Sequence, residues 1–186
     1  MNEPGPLSYR STRGGAPALG FGDVLLGGLA PDGGLYVPER WPVLRDAELE
    51  SPALESYAGL ATEVMYPFVA GTIAHDDFAA MVADAYATFD ADEVCPLVEL
   101  DEHHHLLELF HGPTFAFKDI ALQLVGRLFD HELERRDERV MIVGATSGDT
   151  GSAAMEAVRD RERVDIVILY PEGRTSEVQR RQMTTI

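Results

Sequence analysis

The sequence predicts an α/β protein: an N-terminal mixed helix/strand region, residues 1–95, followed by the start of a parallel-sheet β-α-β domain, residues 96–186. Three observations carry that prediction. From Pro96 onward, apolar strand-like runs alternate with helix-period segments, an order that builds a parallel sheet with helices on its faces. Val140-Met141-Ile142-Val143 is a short continuous apolar run, as a buried parallel strand is, and a glycine-rich loop follows it. Before Pro96 the pattern differs, with glycine- and proline-rich turns followed by two helical stretches.

Residues 1 to about 45 read as strands and turns. Asp32-Gly33-Gly34 is a turn signal, and Leu35-Tyr36-Val37 is a short strand that Pro38 ends. From about Pro52 to Phe89 the chain reads as helical. Leu54, Tyr57, Ala58, Ala61, Val64 and Met65 recur at helical spacing, and Pro67 bends or ends that run. A second helix begins near Asp76-Asp77, whose carboxylates suit a helix N-terminus, and continues through Phe78, Met81, Val82, Ala85 and Phe89. Leu97 to Leu100 and Leu106 to Phe110 read as strands joined by a polar turn. Phe117 to about Glu134 is a helix with Ala121, Leu124, Val125, Leu128 and Phe129 on one side. The glycine loop leads into a helix over 152–159. Val164 to Tyr170 is another buried strand, and Ser176 to Met183 opens a further helix. A doubly wound sheet usually has more strands, so the 186 residues are expected to be the truncated front part of a longer protein.

Composition excludes several function classes. There are 32 acidic residues against 15 basic ones, a formal net charge of -17. A surface of that sign repels phosphate backbones and anionic lipid, so neither nucleic acid nor membrane is expected as a partner. Cys95 is the sole cysteine, which rules out an intrachain disulfide and fits a reducing compartment. Beside Pro96 in an apolar stretch, it reads as a small buried hydrophobe rather than a nucleophile. The start of the chain lacks the basic and apolar runs of a signal peptide, and no stretch approaches the ~20 apolar residues that span a bilayer. A cytoplasmic location is expected.

Two segments carry candidate chemistry. Lys118 is the only lysine, and the other fourteen cationic side chains are arginine. A guanidinium stays protonated, whereas a lysine amine can be tuned to lose its proton and attack a carbonyl. The alternative is that one lysine survived by drift in an arginine-preferring background. Gly112-Pro113 breaks the chain after a strand, which places Lys118 in the first turn of a helix, where open α/β sheets bind ligands. Phe115 and Phe117 are expected to desolvate its amine, and burial favours the neutral, nucleophilic form. The second segment is Gly144-Ala145-Thr146-Ser147-Gly148-Asp149-Thr150-Gly151-Ser152, between a strand and a helix. Backbone N–H groups at a helix N-terminus, with the hydroxyls of Thr146, Ser147 and Thr150, make a site for a carboxylate or phosphate. Its glycine spacing fits neither a Walker A loop nor a dinucleotide fingerprint. The alternative is a tight strand-to-helix turn with hydroxyl capping. His103-His104-His105 alternate between faces, and no third ligand follows at recognisable spacing, so a solvated turn and no metal site are expected. Asp76-Asp77 reads as helix capping and Asp90 to Glu93 as a solvated linker.

The run from Glu108 through His111-Gly112-Pro113-Thr114-Phe115-Ala116-Phe117-Lys118-Asp119 closely resembles the cofactor-lysine segment of the threonine synthase family. Those are pyridoxal-phosphate enzymes of the tryptophan synthase β-like group, fold type II. The glycine loop through Ala154 resembles the family's second signature. Tyr9 with Ser11-Thr12-Arg13-Gly14, the stretch from Gly28 to Pro38, and the late run from Ile168 to Thr185 fit the same family, so the resemblance covers nearly the whole chain. Asp149, where many relatives of other specificity carry asparagine, points to the threonine synthase branch.

The resemblance implies that Lys118 forms the internal aldimine with pyridoxal phosphate and, once freed, moves protons. It implies that Phe117, Ser147, Gly148, Asp149 and Thr150 contact the cofactor, Asp149 near the ring hydroxyl, and that Thr146, Ser147 and Thr150 hold the substrate carboxylate. The implied reaction converts O-phospho-L-homoserine and water to L-threonine and phosphate. Family members are much longer and place the cofactor-phosphate loop in their later part, so the isolated chain is expected to be inactive. Two other readings remain open at this point: a related phospholyase acting on another phosphorylated amino acid, and a non-catalytic fragment serving as an interaction module.

Overall fold

The computed structural model describes residues 5–44 and 52–186, so expectations that touch 1–4 or 45–51 lie outside the described residues. It divides into two units, Met1–Ala83 and Asp84–Ile186.

In the first unit, β1 (Tyr9–Ser11) pairs antiparallel with β2 (Tyr36–Pro38), Tyr9 opposite Pro38 and Ser11 opposite Tyr36. The Asp32 turn between them is fixed by its own side chain. The carboxylate accepts from Ser11 Oγ at 2.7 and 2.9 Å, from Gly15 N at 2.7 Å and from Gly34 N at 2.9 Å. Those bonds, the Ser11 hydroxyl first, hold the Asp32 carboxyl below the usual carboxylate range. Burial pushes the Tyr9 phenol up to about 12, and its hydroxyl donates to the Phe68 carbonyl.

One element here runs against the sequence reading. Residues 1 to about 45 read as strands and turns, yet Phe21–Gly27 forms a helix, α1. Glycines at 20, 22, 27 and 28 suppress any helical signal. Tertiary packing overrides that weakness: Gly22 is buried, and the Phe21 ring lies 6.3 Å from that of Tyr9. A 3-10 turn at Pro52–Glu55 precedes α2 (Tyr57–Val69). The Ser56 hydroxyl caps α2, accepting from Gly59 N at 3.1 Å. Pro67 sits inside the last turn, and α2 ends two residues later, with Val69 and Ala70 buried. Helix α3 (His75–Tyr86) starts with Asp76 and Asp77 in its first turn and buries Phe78 and Val82 completely. It ends before Phe89, which the sequence reading had included.

The second unit opens with an antiparallel hairpin, β3 (Leu97–Asp101) and β4 (His104–Leu107). β4 begins earlier than Leu106 and stops before Glu108, because the Asp101 side chain sets the turn. It accepts from His103 N at 2.9 Å and from His104 N at 3.1 Å, and contacts His104 Nδ1 at 2.8 Å. Every hairpin residue is exposed.

Helix α4 (Lys118–Arg136) follows, then β5 (Val140–Ala145), α5 (Asp149–Ala157), β6 (Val164–Leu169) and α6 (Glu177–Thr184). β5 and β6 pair in parallel from Val140 opposite Val164 to Ala145 opposite Leu169, so the expected β-α-β unit is present. Its strands, however, are not buried on both faces. Met141 and Val143 are 58% and 67% exposed, while Val164 is buried and Ile142 half-buried. Among the described residues helix cover lies on one face: α5 comes against Ile168, whose Cγ2 would stand 3.1 Å from a Cβ placed on Gly151. Along α4, Leu124 and Leu128 are buried but Ala121 is exposed, and the buried set also holds Gln123, Arg127 and Glu132. Arg127 is satisfied by Asp84 Oδ2 at 2.5 Å and by the Gln123 carbonyl at 2.8 Å. Cys95 is half-buried rather than buried. No helix among the described residues is long and apolar enough to cross a membrane.

Helices α4 and α5 touch at Gly126, where a Cβ would stand 2.1 Å from the Ala157 carbonyl oxygen. Gly126→Ala gains about 1 kcal/mol of helix propensity, but the overpacking outweighs it. The expected result is a net destabilisation of ~2 kcal/mol, read as a lower urea midpoint. An unchanged midpoint would show that the two helices can separate freely.

Candidate active site

The lysine segment is tied down at several of the residues that lead to the amine. His111 comes first. Its Nδ1 lies 2.9 Å from Asp90 Oδ1 and its Nε2 lies 2.7 Å from Glu108 Oε2. A ring with a carboxylate at each nitrogen favours the doubly protonated form, so the imidazole pKa is raised, the Glu108 hydrogen bond contributing most. The clamp's contribution to stability is fully present below the unfolded-state pKa of about 6.5 and is lost as pH rises through the higher folded-state value. An NMR titration of the His111 ring is expected to give a midpoint above about 6.5. A midpoint at or below that would mean the two carboxylates do not hold the proton.

Beyond His111 the chain turns at Gly112, where a Cβ would stand 2.4 Å from the Cβ of Asp119. Asp119 is fully buried. Its carboxylate accepts from Thr114 N at 2.8 Å and from Thr114 Oγ1 at 2.7 Å. Phe115 N donates to the Gly112 carbonyl at 3.0 Å, and Phe115 itself takes a left-handed backbone, φ 60°. That conformation costs a non-glycine residue roughly 1–2 kcal/mol, and the Asp119 clamp enforces it.

Lys118 is therefore the first residue of α4, as the turn at Gly112-Pro113 predicts. Its amine sits 4.6 Å from the centroid of the Phe117 ring. The expectation that Phe115 and Phe117 bury the amine needs correction. They are 69% and 54% exposed, and Lys118 is half-buried. The left-handed turn at Phe115 and the helix start at Phe117 direct these rings outward, so they border the amine without enclosing it.

The glycine loop begins where β5 ends. Thr146 N donates to the Leu169 carbonyl at 2.9 Å, which fixes the loop to the end of β6, and Gly148 N donates to Thr146 Oγ1 at 3.2 Å. The helix after it starts earlier than the sequence predicts, at Asp149 rather than Ser152, with Gly148 as N-cap. Asp149 and Thr150 thus belong to the first helical turn. A helix tolerates a buried Gly151 there once Asp149 and Thr150 supply the polar start. Ser147, Asp149 and Thr150 are exposed, Thr146 is half-buried and Gly148 is buried. The hydroxyls and the positive end of the helix at its first turn together favour an anion.

The two segments are joined through α6. Gln182 Nε2 donates to the Thr114 carbonyl at 2.9 Å, and Gln179 Nε2 donates to Asp149 Oδ1 at 2.7 Å. The sequence reading assigned no role to Asp119, Gln179 or Gln182. Asp119 has the appearance of ordinary first-turn charge, and the glutamines show only as two amides at i, i+3 spacing.

An amine at a helix start, bordered by aromatic rings, is thus linked to a hydroxyl-bearing loop at a helix N-terminus, within an α/β protein. Residues 8–86 match the family described as threonine synthase N terminus. The threonine synthase of Pseudomonas aeruginosa is 59% identical over 97% of this chain, and that of Corynebacterium glutamicum is 48% identical over 95%. A solved structure of pyridoxal-phosphate-bound threonine synthase from Brucella melitensis superposes with a TM-score of 0.91 at 54% identity, covering 96% of this chain and 38% of that one. The chain belongs to the threonine synthase family. It spans 38% of the length of the two curated relatives.

Proposed function

We propose that these residues carry the amine and the anion loop of a pyridoxal-phosphate-dependent threonine synthase, which turns O-phospho-L-homoserine and water into L-threonine and phosphate. Residues 96–186 form the first part of its cofactor-binding domain, in a cytoplasmic enzyme. The observation that carries this reading is the placement of the only lysine at the head of α4, in a segment locked by Asp119 and joined through α6 to the glycine loop. The Brucella relative, bound to that cofactor, supports it.

The residues present fit the group. An accessible primary amine suits its aldehyde, and the outward Phe117 ring suits an aromatic neighbour. The exposed Asp149 carboxylate and the Ser147 and Thr150 hydroxyls offer hydrogen bonds to its polar edge. When bound, the cofactor supplies an electron sink for a carbanion on the substrate. The chain's own groups do the rest. Lys118 Nζ carries protons between substrate carbons, as a half-exposed amine can. Thr146, Ser147 and Thr150, with the N–H groups of the α5 first turn, bind the substrate carboxylate. Gly148 and Asp149 would help to hold the group, Asp149 as a hydrogen-bond partner for its ring hydroxyl. Phosphate leaves from the γ-carbon and water adds at the β-carbon, which balances the reaction. Turnover requires the part of the relatives' length that these residues do not span.

The test is borohydride reduction of the full-length enzyme with its cofactor, followed by peptide mapping. Label on Lys118 is expected. Label on another lysine, with Lys118 unmodified, would overturn the assignment.

A further inference from the structure

Gln179 and Gln182 lie three residues apart on α6 and are half-buried, while Val178, Arg180 and Arg181 of the same helix are exposed. We propose that these two glutamines are positioning residues that set the separation between the lysine segment and the glycine loop, with α6 as the strut between them. The inference rests on the assignment of Lys118 and Asp149 to one reaction site.

Gln179 is oriented from both ends. Ser176 Oγ accepts from Gln179 N at 3.2 Å and donates to Gln179 Oε1 at 3.0 Å. At the other end Asp149 Oδ1 lies 2.7 Å away, and because a carboxylate only accepts, that end of the amide is the Nε2 donor. The same nitrogen would stand 2.6 Å from a Cβ on Gly148, so the loop backbone runs directly against the amide. The second oxygen of Asp149 accepts no hydrogen bond among the described residues, so Gln179 fixes the rotation of a carboxylate that keeps one oxygen available. Gln182 acts on the other segment. Its amide donates to the carbonyl of Thr114, whose N–H and hydroxyl both go to buried Asp119, the neighbour of Lys118. Moving α6 therefore shifts Thr114 and Asp149 together. Its exposed side is stiffened by Glu177, which pairs with Arg180 at 2.9 Å and with Arg181 at 2.9 Å.

The test uses the full-length enzyme with Gln179→Met and Gln182→Met, which keep side-chain length and remove the amide, alone and combined. Amide hydrogen exchange is followed over 112–119 and 146–151, with and without cofactor, beside the pH midpoint of the bound cofactor's visible absorbance. Gln182→Met is expected to raise exchange ~tenfold in the lysine segment and leave the glycine loop unchanged, the scale of one lost hydrogen bond to a buried carbonyl. Gln179→Met is expected to do the reverse and also to move the absorbance midpoint, because Asp149 is then free to rotate. Wild-type exchange in both segments would overturn the proposal, as would a uniform rise across the chain. Exchange measured without cofactor is independent of the Lys118 assignment. A strut that fails is thus distinguishable from a cofactor reading that fails, which the borohydride label reports.

Discussion

Lys118→Ala in the full-length enzyme is expected to lower kcat by at least ~1,000-fold, the scale on which a positioned proton-transfer group contributes. The fold should survive, because the Lys118 side chain is half-buried and its amine lies over the exposed Phe117 ring. Lys118→Arg is the more informative partner. It keeps the charge, the length and the ring contact, yet a guanidinium can neither lose its proton nor attack a carbonyl under these conditions. It should be as inactive as alanine. Steady-state turnover with unchanged thermal unfolding is the measurement, and an arginine variant that retains more than a tenth of wild-type kcat would remove the amine from the chemistry.

Asp119→Ala should produce the largest loss of stability of any single change in the lysine segment. The carboxylate is fully buried and takes both the N–H and the hydroxyl of Thr114, so its removal leaves two donors without partners. Each buried unsatisfied donor costs about 1–3 kcal/mol, and a total near 3 kcal/mol is expected after partial relaxation. The left-handed backbone at Phe115 then has nothing to enforce it, and the amine at the head of α4 loses its fixed direction. Activity falls along with stability. Asp119→Asn, which keeps the shape and one acceptor, should recover part of both. Urea unfolding measures the first effect, and a loss below about 0.5 kcal/mol would show that Thr114 finds other partners.

Much of this was legible in the residues. The head of α4 could be placed because Gly112-Pro113 excludes a helix and the apolar period begins just after. The helix read from Ser176 to Met183 is α6, with Ser176 as its N-cap, accepting from Gln179 N. The parallel pairing of β5 with β6 followed from two apolar runs separated by one helix. What was not legible has common physical causes. α1 is held by the burial of Gly22 and the Tyr9–Phe21 contact, neither of which has a local signature. Val140 to Val143 reads as buried on both sides because a run of branched apolar residues looks the same whether one face or two is covered. Asp119, Gln179 and Gln182 act through partners as far as 68 positions away, in contacts that no spacing rule contains.

The uncovered face of the parallel sheet has a colloidal consequence. Met141, Val143, Val167 and Leu169 lie together on a surface that water wets poorly, on a body of net charge -17. At low ionic strength, like-charge repulsion holds such bodies apart before their oily faces can meet. With a screening length of about 8 Å at physiological salt and about 3 Å at 1 M, that barrier thins while the attraction between apolar faces does not. These 186 residues should therefore remain dispersed in dilute buffer and cluster as salt is added, and a charge placed at Val143 should keep them dispersed in both.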